Sequence, residues 1–84
     1  MSSAFQLAVT KANSAKTSGE RLSNDQVLRI YGLYKVATMG ANRTPAPMML
    51  DMKGKAKWQS WSNHSHLSRQ QAEQQYIQLV NQLC

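Results

Sequence analysis

The sequence predicts an all-α fold of four helices with a long loop between the second and third. Three observations carry that prediction. Ser-x-x-Gln boxes precede apolar stripes at Ser23 with Gln26 and at Ser68 with Gln71; in such a box the hydroxyl and the amide each satisfy a backbone N–H that the first turn leaves unpaired. Apolar residues recur at three- and four-residue intervals, and no β-branched residue stands between Leu50 and Trp61 to support a strand. Pro45 and Pro47, one residue apart, exclude helix from the stretch 42–47 and mark it as the loop. The 84 residues read as one domain, 1–84, large enough for its own core and too small for a deep catalytic cavity.

The first helix is expected over residues 3–16, where Phe5, Ala8, Val9, Ala12 and Lys16 make a narrow stripe of mostly small residues. Small residues let a neighbouring helix approach closely, and Gly19 supplies the stop. A second helix opens at Ser23 or Asn24, gains negative charge at its positive end from Asp25, and ends near Gly40. Its stripe is Val27, Ile30, Tyr31, Tyr34 and Thr38. The third begins behind Asp51, a good N-cap. At about 100° per residue, Lys53 and Lys57 lie about 40° apart with Trp61 about 40° further, while Lys55 is turned about 160° from Lys57. The fourth helix starts at Ser68 and carries Ala72, Tyr76, Leu79, Val80 and Leu83 inward to the chain end.

Ten Lys and Arg stand against four Asp and Glu, a formal charge of +6. A domain this basic meets an anion: nucleic acid, an acidic membrane surface or a phosphorylated small molecule. Cys84 has no partner for an intramolecular disulfide and is expected as a free thiol in a reducing compartment. No apolar run reaches the roughly 20 residues a membrane span needs, and no signal-peptide core follows Met1. The expectation is a cytoplasmic monomer without integral membrane insertion.

Catalytic chemistry is poorly supplied. Glu20, Asp25, Asp51 and Glu73 sit at or near helix starts or in loops, where carboxylates cap helices rather than pair as acid and base. His64 and His66 alternate with serines without a third ligand nearby, so no metal is expected. The chain therefore reads as no enzyme and as needing no cofactor. What it does supply is aromatic plus basic: Tyr31, Tyr34 and Lys35 on the second helix, Lys53, Lys57 and Trp61 on the third, and Tyr76 on the fourth. Each residue alone reads as core filling edged by a lysine stem. Together they suit a nucleotide with several phosphates, held by lysines and covered by rings. A basic helical protein- or nucleic-acid-interaction module is the alternative, against which stands the spread of basic residues over all four helices rather than along one recognition helix.

The segments "YGLYKVAT" (Tyr31 to Thr38), "MLDMKGKAKWQSW" (Met49 to Trp61) and "QYIQLVNQL" resemble the acyl-CoA-binding protein family in order and spacing. That family shows Tyr-x-x-Tyr-Lys-x-Ala-Thr, Lys-x-Lys-Ala-Lys-Trp-x-x-Trp and a late Tyr-hydrophobic segment. The resemblance implies a four-helix bundle that binds and carries long-chain acyl-CoA esters without turning them over. It further implies that Tyr31, Tyr34 and Lys35 meet the adenine nucleotide and its 3′-phosphate, that Lys57 holds that phosphate with Lys53 one turn earlier, and that Tyr76 lies beside the adenine. Trp58 is expected to serve packing. The family's first-helix lysine has no clear counterpart; an ungapped alignment from Phe5 puts Asn13 there, between Lys11 and Lys16. Ala46 and Met48 replace the family's frequent Arg and Gly, and the loop 17–24 is about three residues longer than usual. For the acyl chain, an apolar groove using Val27, Leu28, Met39, Ala8, Val9 and Ala12 is expected.

Overall fold

The computed structural model describes residues 3–17, 22–48 and 50–83. They form α1 (Ser3–Thr17), α2 (Asn24–Met39), α3 (Met52–Asn63) and α4 (Arg69–Leu83), with no strand among the described residues. Gly19 as a helix stop, Glu20, Met49, Cys84 and the side chain of Lys16 lie outside the described residues.

Local chemistry sets the helix ends. Ser23 Oγ accepts from the Gln26 N–H at 3.1 Å while the Ser23 N–H donates to Gln26 Oε1 at 2.8 Å. Ser68 and Gln71 repeat the exchange at 3.1 and 2.9 Å ahead of α4. Asp51 Oδ1 accepts from the Gly54 N–H at 2.9 Å and opens α3. Gly40, at φ +81°, ends α2 in a conformation that a side chain would strain.

Contacts between helices fix their directions. Phe5 meets the Tyr76 ring and Lys11 reaches Asn81, so α1 and α4 run the same way. Tyr34 meets Tyr76 and Arg69 reaches the Met39 carbonyl, so α2 opposes α4. Lys57 sits over the Tyr31 ring and Lys35 over Trp61, so α3 follows α2 in direction. Two consecutive parallel helices need a long return, which the loop between Gly40 and Asp51 supplies. The loop is pinned to α3: Asn42 Nδ2 donates to the Trp58 carbonyl and to Ser62 Oγ, and Trp58 Nε1 donates to the Thr44 carbonyl. Trp61 Nε1 donates to the Gly40 carbonyl at 2.8 Å. Trp58 is thus half-buried on the loop, and Trp61 is the tryptophan that joins the core.

The core gathers Phe5, Ala8 and Ala12 from α1, Ile30, Leu33, Val36 and Ala37 from α2, Trp61 from α3, and Ala72, Tyr76 and Val80 from α4. The α4 stripe is as the sequence predicts. The α2 stripe is not: of Val27, Ile30, Tyr31, Tyr34 and Thr38 only Ile30 is buried, and the buried face is Ile30, Gly32, Leu33, Val36 and Ala37. The reason is that α2 packs on both α3 and α4. Its central arc is spent on small and aliphatic residues between those two neighbours, which turns the tyrosine edge outward toward α1.

Gly32 marks a close approach of α2 to α3. A Cβ there would lie 2.5 Å from Ser60 Oγ and 2.7 Å from both the Ser60 carbonyl and His64 Nδ1. Ser60 Oγ is itself committed to the Leu28 carbonyl across the same junction. Gly32→Ala is therefore predicted to destabilise the protein: overpacking costs roughly 1–3 kcal/mol, against a helix-propensity gain of about 1 kcal/mol. Urea denaturation should show a lower midpoint at unchanged slope; a midpoint at or above wild type would show that the junction has slack.

Candidate functional site

Within the bundle α1 packs on α4, α2 packs on α3 and α4, and α1 and α2 do not pack backbone to backbone. The gap between α1 and α2 is a pocket of about 270 Å³ lined by Val9, Ala12 and Asn13 of α1, Ile30, Tyr31 and Tyr34 of α2, and Tyr76 of α4. Tyr76, 2 % exposed, forms the floor, whereas Tyr34 is 37 % exposed and Tyr31 is half-buried. Of the three tyrosines expected on interior stripes, only Tyr76 is interior. The other two stand at the opening because their helix face is the one left over by core packing. No buried polar side-chain atom among the described residues lacks a partner, so the Tyr76 hydroxyl needs no ligand to satisfy it.

Phe5 closes one end of the gap. Its ring stacks 6.2 Å from Tyr34 at an interplanar angle of 13° and lies 5.0 Å from Tyr76. A second cavity, lined by Phe5, Gln6, Val9, Thr10 and Tyr34, continues the first along α1, with Val9 and Tyr34 shared.

The lysines are arranged around this pocket unequally. Lys57 Nζ lies 5.5 Å from the centroid of the Tyr31 ring, at the pocket edge. Lys35 Nζ lies 4.6 Å from the Trp61 ring and donates to Met39 Sδ at 3.1 Å. Lys53 is exposed one turn before Lys57. None of these three lysines is paired with a carboxylate among the described residues. The structure thus brings Tyr31, Tyr34 and Tyr76 onto one pocket, sets Lys57 beside it, and leaves Lys35 and Lys53 off its lining. Asn13 is on the lining, at the position where the alignment puts the missing lysine.

The six residues expected to make an acyl groove are not gathered into one. Ala8 is in the core, while Val9 and Ala12 line the pocket between α1 and α2. Leu28 lies in a cavity of about 320 Å³ between α2 and α3, with Asp25, Arg29, Ala56, Gln59, Ser60, Asn63 and His64. Met39 lines a third, of about 460 Å³, with Gly40, Ala41, Arg43, Thr44, Trp61 and Arg69. Leu28 and Met39 are separated by some 16 Å of helix at about 1.5 Å per residue, and helical spacing alone does not reveal which gap each one faces. His64 Nδ1 and His66 Nδ1 face the Ser60 and Asn63 carbonyls.

The family model for acyl-CoA-binding protein matches residues 2–80. An acyl-CoA-binding protein homolog of Caenorhabditis elegans is 40 % identical over 83 residues, which cover 99 % of this chain and 93 % of that protein. The acyl-CoA-binding protein of Saccharomyces cerevisiae is 40 % identical over 78 residues, covering 93 % and 90 %. The crystal structure of Oryza sativa acyl-CoA-binding protein 2 superposes with a TM-score of 0.81 at 36 % identity, over 94 % of this chain and 87 % of that one. Sequence, fold and helix order agree, and the chain belongs to the acyl-CoA-binding protein family.

Proposed function

We propose that the chain, as one domain across residues 1–84, binds long-chain acyl-CoA esters and carries them inside the cell without chemical change. The observation that carries this reading is the pocket in which Tyr31, Tyr34 and Tyr76 converge from two helices, with the ammonium of Lys57 over the Tyr31 ring at its edge. Tyrosine rings offer flat apolar cover to an adenine, and lysines offer charge-assisted hydrogen bonds to a phosphate. Lys57 is assigned to the 3′-phosphate, joined by Lys35 once it leaves the Trp61 face, with Lys53 adding charge from one turn away. The acyl chain gains about 0.8 kcal/mol for each CH₂ taken out of water, so even partial cover favours long chains over short ones. Membership of a family named for binding agrees with a carrier. No paired acid and base is offered by the residues of the pocket.

Calorimetry separates the clamp from a diffuse basic surface. Lys57→Ala should cost roughly 1.5–3 kcal/mol of binding, the range for hydrogen bonds to charged groups, while Lys55→Ala, turned away on the helix, should cost almost nothing. Dephospho-CoA esters, which lack the 3′-phosphate, should bind wild type and Lys57→Ala alike. Equal losses for the two variants with the full ligand would refute the assignment.

Asn13 gives the opposite kind of test. Asn13→Lys places an ammonium on the pocket wall and should tighten palmitoyl-CoA binding by about tenfold or more, the worth of one further charged contact. The gain should vanish with the dephospho ester; a gain of the same size for both ligands would mean that the new lysine acts elsewhere.

Turnover is checked directly. Palmitoyl-CoA incubated with the protein should keep its thioester, and release of free CoA above the blank rate would show an enzyme instead of a carrier.

A further inference from the structure

The start of α3 carries a feature that neither the core nor the pocket uses. Leu50 is 95 % exposed, Met48 83 % and Met52 77 %, three large apolar side chains within five residues. None of them lines a described cavity. Hydrogen bonds of the described residues tie Met48 to Asp51 and Asp51 to the first turn of α3. The Asp51 N–H donates to the Met48 carbonyl at 3.0 Å, the Lys55 N–H to the Asp51 carbonyl at 2.9 Å, and the Gly54 N–H to the Asp51 carboxylate. Large apolar groups clustered in water call for a partner.

The charge around the tip says which. Lys53, Lys55 and Lys57 follow directly, against the single carboxylate of Asp51, which is spent on the helix cap. Because Lys55 is turned about 160° from Lys57 on the helical wheel, the ammonium groups surround the axis of α3 rather than one side of it. An apolar tip with a collar of cations behind it matches a layer that is apolar inside and anionic at its surface. A second copy of this chain is a poor match, since two +6 molecules would bring the same lysine collars together. Methionine side chains are flexible and suit a fluid surface better than a fitted pocket.

We propose that the tip of Met48, Leu50 and Met52 docks the protein end-on, through α3, to an anionic lipid bilayer. The apolar groups enter the headgroup layer, and the lysine collar lies among the anionic headgroups. Met48, Leu50 and Met52 do not line the tyrosine pocket; of the collar, Lys57 lies at the pocket edge and Lys53 one turn before it, so the docking is tested without ligand.

Flotation with vesicles tests it on the whole protein without added ligand. Wild type should float with vesicles of phosphatidylcholine and phosphatidylserine and remain behind with phosphatidylcholine alone. Leu50→Ser/Met52→Ser should weaken binding to the anionic vesicles by about tenfold or more, as expected when buried apolar area is lost at an interface. Lys55→Ala should weaken it severalfold and make it less sensitive to salt. Because all three positions are exposed, melting temperatures should stay at the wild-type value. Leu50→Trp gives a gain-of-binding arm that needs no loss of stability: it should bind anionic vesicles more tightly than wild type. Absence of wild-type binding to the anionic vesicles overturns the proposal, as does equal binding to neutral vesicles. Unchanged binding by the Ser double variant together with Leu50→Trp also overturns it, leaving only diffuse attraction to a basic protein. A dimer in sedimentation velocity that Leu50→Ser dissolves would assign the tip to a second copy instead.

Discussion

Three rings, one from each of α1, α2 and α4, hold this molecule in the shape that makes a pocket. Phe5, Tyr34 and Tyr76 meet at centroid distances of 5.0 to 6.2 Å. Each such pair contributes about 0.5–1.5 kcal/mol beyond the burial of its surface. Their geometric effect matters more. With α1 and α2 not packed backbone to backbone, the ring contacts at one end set the width of the gap between them. A slimmer side chain at Phe5 would let the helices close, and the space lined by Asn13, Tyr31 and Tyr34 would shrink. The exposed edge of Tyr34 follows from the same arrangement, since one face of its ring is already taken by Phe5.

Across α2, the parallel run of α3 produces crossed pairs in which a cation from one helix faces a ring from the other. Lys57 is over Tyr31 and Lys35 is over Trp61. Contacts of this kind at exposed sites are worth about 0.5–1 kcal/mol, less than a hydrogen bond to a charged group at 1.5–3 kcal/mol. The rings therefore orient the ammonium groups without holding them firmly. A hydrogen bond to an anion is therefore worth more to either lysine than its ring contact.

Helix ends were readable from the sequence because their causes are local. A Ser-x-x-Gln box, an Asp cap or a glycine at positive φ acts within four residues, and each stands where its spacing predicts. The buried face of α2 is not readable in this way because its cause is not local. A stripe count weighs Tyr31 and Tyr34 as apolar mass and passes over Gly32 and Ala37, yet a helix with two neighbours buries whatever fits between them. The tyrosines of the pocket were legible as a set, through their pattern with Lys35 and their likeness to a family motif. Their exposure was not, nor was the separation of Leu28 from Met39 into different cavities. Those depend on which gaps remain after four helices have packed, and no window along the chain contains that information.

Among the described helices α3 packs on α2 alone and α1 on α4 alone, whereas α2 and α4 each have two neighbours. Beyond that face, α3 is tied down by loop contacts at Asn42 and Thr44 and by the Trp61 bond to Gly40. Protection against amide hydrogen exchange follows the amount of packing that must be broken to open a segment. The amides of α3 accordingly exchange through a smaller opening than those of α2 or α4, one that leaves the aromatic knot intact. Exchange should then fall into two tiers: slow in α2 and α4, which each pack on two helices, and faster in α1 and α3, which each pack on one.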